Sequence, residues 1–215
     1  MNILLAGISG KMGSQIYKKL SILNHKITGF DLKDKEDIEM IHYIKDIDID
    51  KFDMLIDFTN KDISKDLIEL FLENNKMVIS GTTGHTSKFI KDKSAYAKEN
   101  NLVFIHSVNF AKGIKAYQHI AKEIKEKFSD VLMVESHDIS KIDAPSGTAL
   151  MLAKALDIDF DKIKSLRVHE VTPSHLLIFS NKDEKIILIH QILNKDAFSE
   201  GFYEVFKEVV GDYNA

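Results

Sequence analysis

Three glycines at fixed spacing, Gly7-Ile8-Ser9-Gly10-Lys11-Met12-Gly13, constrain this chain more than any other feature. They lie between a short apolar run, Asn2–Ala6 (NILLA), and a segment in which Met12, Ile16, Leu20 and Leu23 recur at helical spacing. That order reads as a buried strand, a tight turn and an amphipathic helix. Glycine there permits the turn, close approach of the backbone to a pyrophosphate, and close helix–strand packing. The helix N-terminus then offers unpaired N–H groups to an anion. Asp31 ends the next apolar run, residues 26–31, about 20 residues further on. A carboxylate at that point can accept hydrogen bonds from the hydroxyls of an adenosine ribose. The plainer alternative is a glycine turn beside a surface aspartate. Strand, turn, helix and acid in this order favour dinucleotide binding.

The same alternation continues. Residues 53–58 (DMLIDF), Met77–Ser80 and 102–106 read as further strands. Ile63, Leu67, Leu70 and Phe71 mark one helix, and residues 86–100 a weaker one. Strands separated by helices imply a parallel sheet covered on both faces. Its strand ends carry Asp57-Phe58-Thr59, Gly81-Thr82-Thr83-Gly84 and Ser107-Val108-Asn109-Phe110. In such sheets ligands bind at the carboxyl ends of the strands, though simple turn chemistry explains each loop equally well. Asp57 is expected to be structural, and His106 to fill the crevice.

After residue 109 the pattern changes. Ile114, Tyr117, Ile120, Ile124 and Phe128 form one stripe of a long helix. Residues 131–137 read as a strand, 146–156 as a short helix, and 166–171, 176–180 and 185–193 as strands. Phe198, Phe202, Val205, Phe206 and Val209 line a closing helix. The expectation is an α/β chain in two parts. Residues 1–109 with 196–215 form a Rossmann-like parallel-sheet dinucleotide-binding domain. Residues 110–195 form a smaller α+β domain for substrate binding and oligomerisation. The run 186–189 does not alternate, so both faces of that strand want cover, and a second subunit can supply one.

Composition narrows the function. The formal net charge is -4, which recruits neither nucleic acid nor an acidic membrane. There is no cysteine, so disulfides, zinc–thiolate sites and cysteine nucleophiles are excluded. No apolar run has transmembrane length, and a cytoplasmic protein is expected. The nine histidines are scattered without metal-ligand spacing, and no metal is expected. His175 and His190 read as satisfied sheet residues.

The densest motif is Glu135-Ser136-His137-Asp138-Ile139-Ser140-Lys141-Ile142-Asp143-Ala144-Pro145-Ser146-Gly147-Thr148-Ala149. His137 falls where a strand runs out, and Lys141 follows in the loop. Ser146 is placed to cap a helix, leaving the N–H groups of Gly147 and Thr148 outward. A helix N-terminus with a lysine suits a carboxylate, and a histidine beside it can donate a proton near neutral pH. A capped helix with a surface histidine and lysine is the alternative. Arg167 either pairs with an acid or reaches the substrate.

This stretch resembles the signature of the dihydrodipicolinate reductase family, E-x-H-H-x-x-K-x-D-A-P-S-G-T-A. The G-x-x-G-x-M-G loop, Ile56-Asp57-Phe58-Thr59, Gly81-Thr82-Thr83-Gly84, Asn109-Phe110 and the tail from Ser165 to Gly201 resemble the same family in the same order. The resemblance implies NADH- or NADPH-dependent reduction of a cyclic dicarboxylate, 4-hydroxy-tetrahydrodipicolinate, to tetrahydrodipicolinate in lysine and diaminopimelate synthesis. It implies a homotetramer with that small molecule as its partner. His137 matches the proton donor and Lys141 the lysine acting with it. Gly147 and Thr148 match the pair that binds a substrate carboxylate. Gly7, Ile8, Ser9, Gly10, Lys11, Met12, Asp31, Gly81, Thr82, Thr83, Ser107, Val108, Asn109 and Phe110 match cofactor contacts. The chain departs from the family in three ways. Asp138 replaces a histidine that contacts substrate, Ala111 stands where serine is common, and the chain is short. A non-catalytic dinucleotide sensor and another amino-acid-pathway dehydrogenase are the rival readings. Asp31, followed by Leu32, favours NADH, while Lys33 is close enough to help NADPH.

Overall fold

A computed structural model describes residues 1–211; the last four residues of the expected first domain, 212–215, lie outside the described residues. By its contacts the chain divides into two compact units, Met1–Val108 with the segment from Ser199 on, and Asn109–Phe198. No helix among the described residues is long and apolar enough to cross a membrane.

The first unit is a six-stranded sheet in the order β3-β2-β1-β4-β5-β6. Its strands are β1 (Asn2–Ala6), β2 (Lys26–Phe30), β3 (Met40–Ile41), β4 (Met54–Asp57), β5 (Met77–Ser80) and β6 (Phe104–His106). Every pairing is parallel. The central strands are buried on both sides, which is why they read as continuous apolar runs. Helices α1 (Lys11–Leu20), α2 (Lys61–Glu73) and α3 (Ser87–Glu99) connect them. Caps fix two helix starts: Asn60 accepts from the backbone N–H groups of Asp62 and Ile63, and Thr86 from that of Phe89. One face of the sheet packs Leu4, Leu55 and Val78 against Leu67, Ile68 and Phe71. From Ser199 on, α6 (Asp196–Val210) belongs to this unit. Its Phe202 ring meets Phe58 at 5.6 Å and its Phe206 meets His25 at 5.5 Å. The sequence pattern suggested five strands. The sixth, β3, has two residues, too few to show a period.

The second unit is a four-stranded sheet, order β10-β9-β7-β8, with β7 (Asp130–Asp138), β8 (Ile163–Val168), β9 (Ser174–Ser180) and β10 (Lys185–Gln191). β7 and β8 are parallel and the other pairs antiparallel. One face carries α4 (Lys112–Lys125) and α5 (Gly147–Leu156), closing a core of Ile114, Tyr117, Met133, Leu152, Leu177 and Phe179. The Tyr117 hydroxyl donates to the carbonyls of His175 and Leu188, tying α4 to the sheet. Two expectations are corrected. β8 runs from Ile163 to Val168 rather than over 166–171, and it stops short of 171 because the left-handed Glu170 (φ 54°) turns the chain there. Ile120 is 46% exposed, and Ala121 takes its place on the buried stripe of α4.

Candidate active site

In the first unit the predicted residues gather at the carboxyl ends of the strands. Gly7 has φ +77°, and a Cβ there would run into the backbone carbonyl of Phe58. A Cβ on Gly13 would strike the backbone of Gly7, so both glycines are required for β1, β4 and α1 to approach this closely. Gly10 opens α1 without a side-chain cap, leaving the helix N-terminus to another acceptor. Asp31 accepts from the backbone N–H of Ser9 at 3.0 Å and of Leu32 at 2.8 Å, joining the glycine loop to the end of β2. Between them lies a cavity of about 430 Å³ lined by Gly7, Gly10, Asp31, Phe58, Thr59 and Ile63, among others. His42 also lines it, with Nδ1 2.7 Å from the Asp31 carbonyl. Sequence reasoning missed His42, since no motif marks it and only the pairing of β2 with β3 brings it there.

The other strand ends are organised by Asp57, which is fully buried. It accepts from the hydroxyls of Thr59 at 2.6 Å, Ser64 at 2.5 Å and Ser80 at 2.6 Å, and from the Thr59 N–H at 3.1 Å. Its role is structural, as expected. Ser64 has committed its proton to Asp57, so at 2.8 Å it accepts from His85 Nε2. His106 Nε2 donates to the Thr82 carbonyl at 2.8 Å, fixing the loop of Gly81, Thr82 and Thr83. Burial, and then the neighbouring His106, hold His85 below the usual histidine range. Burial also lowers His106, against the opposing pull of its bond to Thr82 and of Asp57. Thr82 is buried, and its hydroxyl has no hydrogen-bond partner among the described residues.

In the second unit alternation along β7 sends Val131, Met133 and Glu135 to the helix-covered face. Glu135 is 0% exposed and accepts hydrogen bonds on both carboxylate oxygens. Its Oε2 lies 2.5 Å from His137 Nδ1 and accepts from Arg167 Nη1 at 3.1 Å. Its Oε1 accepts from Arg167 Nη2 at 2.9 Å and from the Ser146 N–H at 3.3 Å. Burial pushes the Glu135 carboxyl up, but Arg167, Ser165 and His137 together hold it below the usual range. Arg167 therefore pairs with an acid, and it also donates to the carbonyls of Lys141 (3.1 Å) and Asp143 (2.5 Å).

Ser146 caps α5 by accepting from the Ala149 N–H at 3.2 Å. Gly147 and Thr148 are the first residues of the helix, and the Thr148 hydroxyl receives a bond from Asn109 at 3.1 Å. Lys141 Nζ donates to Asp143 at 2.7 Å. Asp143 is pushed up by burial but held below the usual range by that pair and by backbone N–H groups including Gly147. The protein's own carboxylate thus sits between the lysine and the helix N-terminus. Asp138 is turned to local use: it accepts from the Ser140 N–H (2.9 Å) and hydroxyl (2.6 Å) and from the Glu170 N–H (3.1 Å). Those bonds, the Ser140 hydroxyl first, hold its pKa at about 2.

His175 and His190 depart from expectation. Each is in a sheet, yet each has a buried Nδ1 without a partner among the described residues. Burial first, then His137 and His190, lower His175 to about 4. Among the described residues no group of three or more His, Cys, Asp or Glu is arranged to hold a metal ion.

The chain matches the family models for "Dihydrodipicolinate reductase, N-terminus" over residues 1–110 and "Dihydrodipicolinate reductase, C-terminus" over residues 113–214. It is 33% identical to a 4-hydroxy-tetrahydrodipicolinate reductase of Rickettsia bellii, across 94% of this chain and 86% of the relative. It is 30% identical to the enzyme of that name from Buchnera aphidicola subsp. Cinara cedri, across 93% of this chain and 88% of the relative. Its fold matches a dipicolinate-bound dihydrodipicolinate reductase from Paenisporosarcina sp. TG-14 with TM-score 0.80 at 22% identity, covering 97% of this chain and 94% of that one.

Proposed function

The chain belongs to the dihydrodipicolinate reductase family, and from that premise we propose how its own residues carry out the family's reaction. It is a dinucleotide-dependent oxidoreductase acting on a small molecule. The reaction is reduction of 4-hydroxy-tetrahydrodipicolinate by NAD(P)H and a proton, giving tetrahydrodipicolinate, NAD(P)⁺ and water. A reduced nicotinamide, when bound, supplies the hydride.

The residues present fit a dinucleotide. A side chain at Gly7 would collide with the Phe58 carbonyl at the cavity wall, the cavity ends on an acid, and the buried Thr82 hydroxyl lacks a partner among the described residues. Residues 7–12 would hold the pyrophosphate and Asp31 the ribose. Gly81, Thr82, Thr83, Ser107 and Val108 would meet the nicotinamide end, with Asn109 and Phe110 following them in the chain. Asp31 disfavours a ribose phosphate, so NADH serves at least as well as NADPH.

In the second unit Lys141 and the N–H groups of Gly147 and Thr148 hold a substrate carboxylate, displacing Asp143 from the lysine. His137 releases a proton from Nε2, since Nδ1 faces Glu135. Asp138 acts at a remove, by shaping the turn that carries Lys141. The observation that carries this reading is the buried Glu135 joined at once to His137, Arg167 and the start of α5. Nothing in the site favours a non-catalytic sensor.

Assembly follows from the other face of the sheet. Leu166, Val168, Leu176, Ile178, Ile187 and Ile189 share it, and no helix of the second unit covers it. We assign it to a second copy of the chain in a homotetramer. Zero cysteines and the absence of a membrane-length helix among the described residues are compatible with a cytoplasmic enzyme.

The test follows NADH absorbance after adding cyclic substrate freshly formed from pyruvate and aspartate semialdehyde. Oxidation that depends on both precursors is expected. NADH binding without oxidation would mean that this chain has lost the family's reaction.

A further inference from the structure

We propose that Glu135 is a positioning residue that sets the tautomer and charge of His137 and ties the proton donor to the carboxylate-binding loop. This rests on the reading of His137 as the donor.

The argument is one of hydrogen-bond inventory. An ionised carboxylate only accepts. With Oε2 2.5 Å from Nδ1, the Nδ1 of His137 must carry a proton, whichever charge state the ring is in. Nε2 is then the nitrogen left for chemistry, and an anion at Nδ1 stabilises the ring when Nε2 is also protonated. The guanidinium of Arg167 grips both oxygens of Glu135, so the carboxylate stays ionised although it is buried.

The groups facing this pair come from every strand around it. Arg167 lies opposite His137 in the β7–β8 register, and His175 lies opposite Glu135 in the β7–β9 register. The His175 ring stands 5.5 Å from that of His137 and is kept neutral, so it adds no competing cation. Lys141 and Asp143 complete the set from the loop. Glu135 also receives the Ser146 N–H, and Arg167 holds the carbonyls of Lys141 and Asp143. One side chain therefore fixes the donor, the lysine loop and the helix start together. A plain counter-ion for Arg167 would touch only the arginine.

Glu135→Gln separates the two roles. An amide has one acceptor, and the arginine fork claims it. The NH₂ group then faces Nδ1, which must accept, and a fully protonated ring is disfavoured. Turnover should fall by on the order of 10²–10⁴. The alkaline limb of the pH–rate profile, where the donor loses its proton, should move to lower pH. The KM for the cyclic substrate should change far less than kcat. Glu135→Asp keeps the charge and should leave the limb in place while lowering kcat. Nitrogen NMR of the wild-type enzyme should show a protonated Nδ1 on His137.

His137→Ala serves as the separate control. Full turnover in His137→Ala removes the donor reading itself. An inactive His137→Ala beside a Glu135→Gln enzyme with wild-type rate and pH profile overturns the positioning role alone. If Glu135→Gln does not fold, the wild-type spectrum decides, and an unprotonated Nδ1 overturns the proposal.

Discussion

Replacing Asp31 by Asn should turn the cofactor preference of this enzyme, and the size of the change can be worked from the site. Asp31 already accepts from Ser9 and Leu32, so its carboxylate is pinned at the cavity wall beside the loop proposed to hold the pyrophosphate. The additional phosphate of NADPH brings a charge of roughly -1.5 to -2. At about 4 Å two unit charges repel by ~1 kcal/mol in water and ~4 kcal/mol at the effective dielectric of a surface pair. Asp31 is only half-buried and its cavity opens to solvent, so the lower figure governs. The penalty is then about 2 kcal/mol, a preference for NADH of roughly 30-fold, reduced by the neighbouring Lys33. Asp31→Asn removes the repulsion, and NADPH affinity should rise by about 10- to 30-fold. NADH affinity should fall, because a neutral amide replaces a charged acceptor and only one oxygen remains for Ser9 and Leu32. Calorimetric titration of both nucleotides at low and high salt measures this without turnover, and the preference should shrink as salt rises. Wild-type enzyme that binds NADPH more tightly than NADH at low salt would refute the reasoning. So would an Asp31→Asn enzyme with an unchanged ratio.

Lys141→Ala should depress kcat and raise KM together, whereas His137→Ala should lower mainly kcat, by on the order of 10²–10⁴. Calorimetry should find NADH affinity intact in both. Asp143→Asn frees Lys141 from its internal partner; since an exposed pair of this kind contributes about 0–1 kcal/mol, dipicolinate should bind up to about fivefold tighter in a direct titration. Acid should destabilise the fold through His175. Its folded pKa of about 4 lies below the ordinary 6.5, so the unfolded chain binds the proton first; the stability is present above pH 6.5 and is lost as pH falls towards 4, by on the order of 3 kcal/mol. Denaturant midpoints across that window should show the loss, and His175→Asn should flatten it. Ile189→Asp places a charge on the open sheet face, where Ile189 is 58% exposed, and should convert the proposed homotetramer to smaller species in light scattering without unfolding the chain.

Much of the first unit was legible because its signals are local. The glycine loop and the apolar runs each sit within a few residues of what they determine. Residues 32–52 gave no such signal. They hold a two-residue strand and two short 3-10 turns, none long enough for a period, and His42 reaches the cavity only through strand pairing across the sheet. In the second unit the run 186–189 pointed to a strand, and it lies within β10. The fate of Asp138 was not legible, because the Glu170 N–H that occupies one of its oxygens lies 32 residues away.

Glu135 shows where reading from sequence stops. Val131, Met133, Glu135 and His137 stand two residues apart, so period-two alternation alone puts an acid and a histidine on the face that the two apolar residues bury. A carboxylate on a buried face demands a cation, because an unpaired charge there is costly to keep ionised. The chain has many cations, and nothing local says which one answers. Arg167 does so because parallel pairing sets it opposite His137, a register decided by the whole of β7 and β8. The partner is therefore a tertiary fact, while the need for a partner was already written in the strand. Catalytic histidines announced by a signature can be sought in this way. The buried acid of the same parity on the same strand marks the side chain that fixes the imidazole, and the strand paired alongside is where its counter-ion should lie.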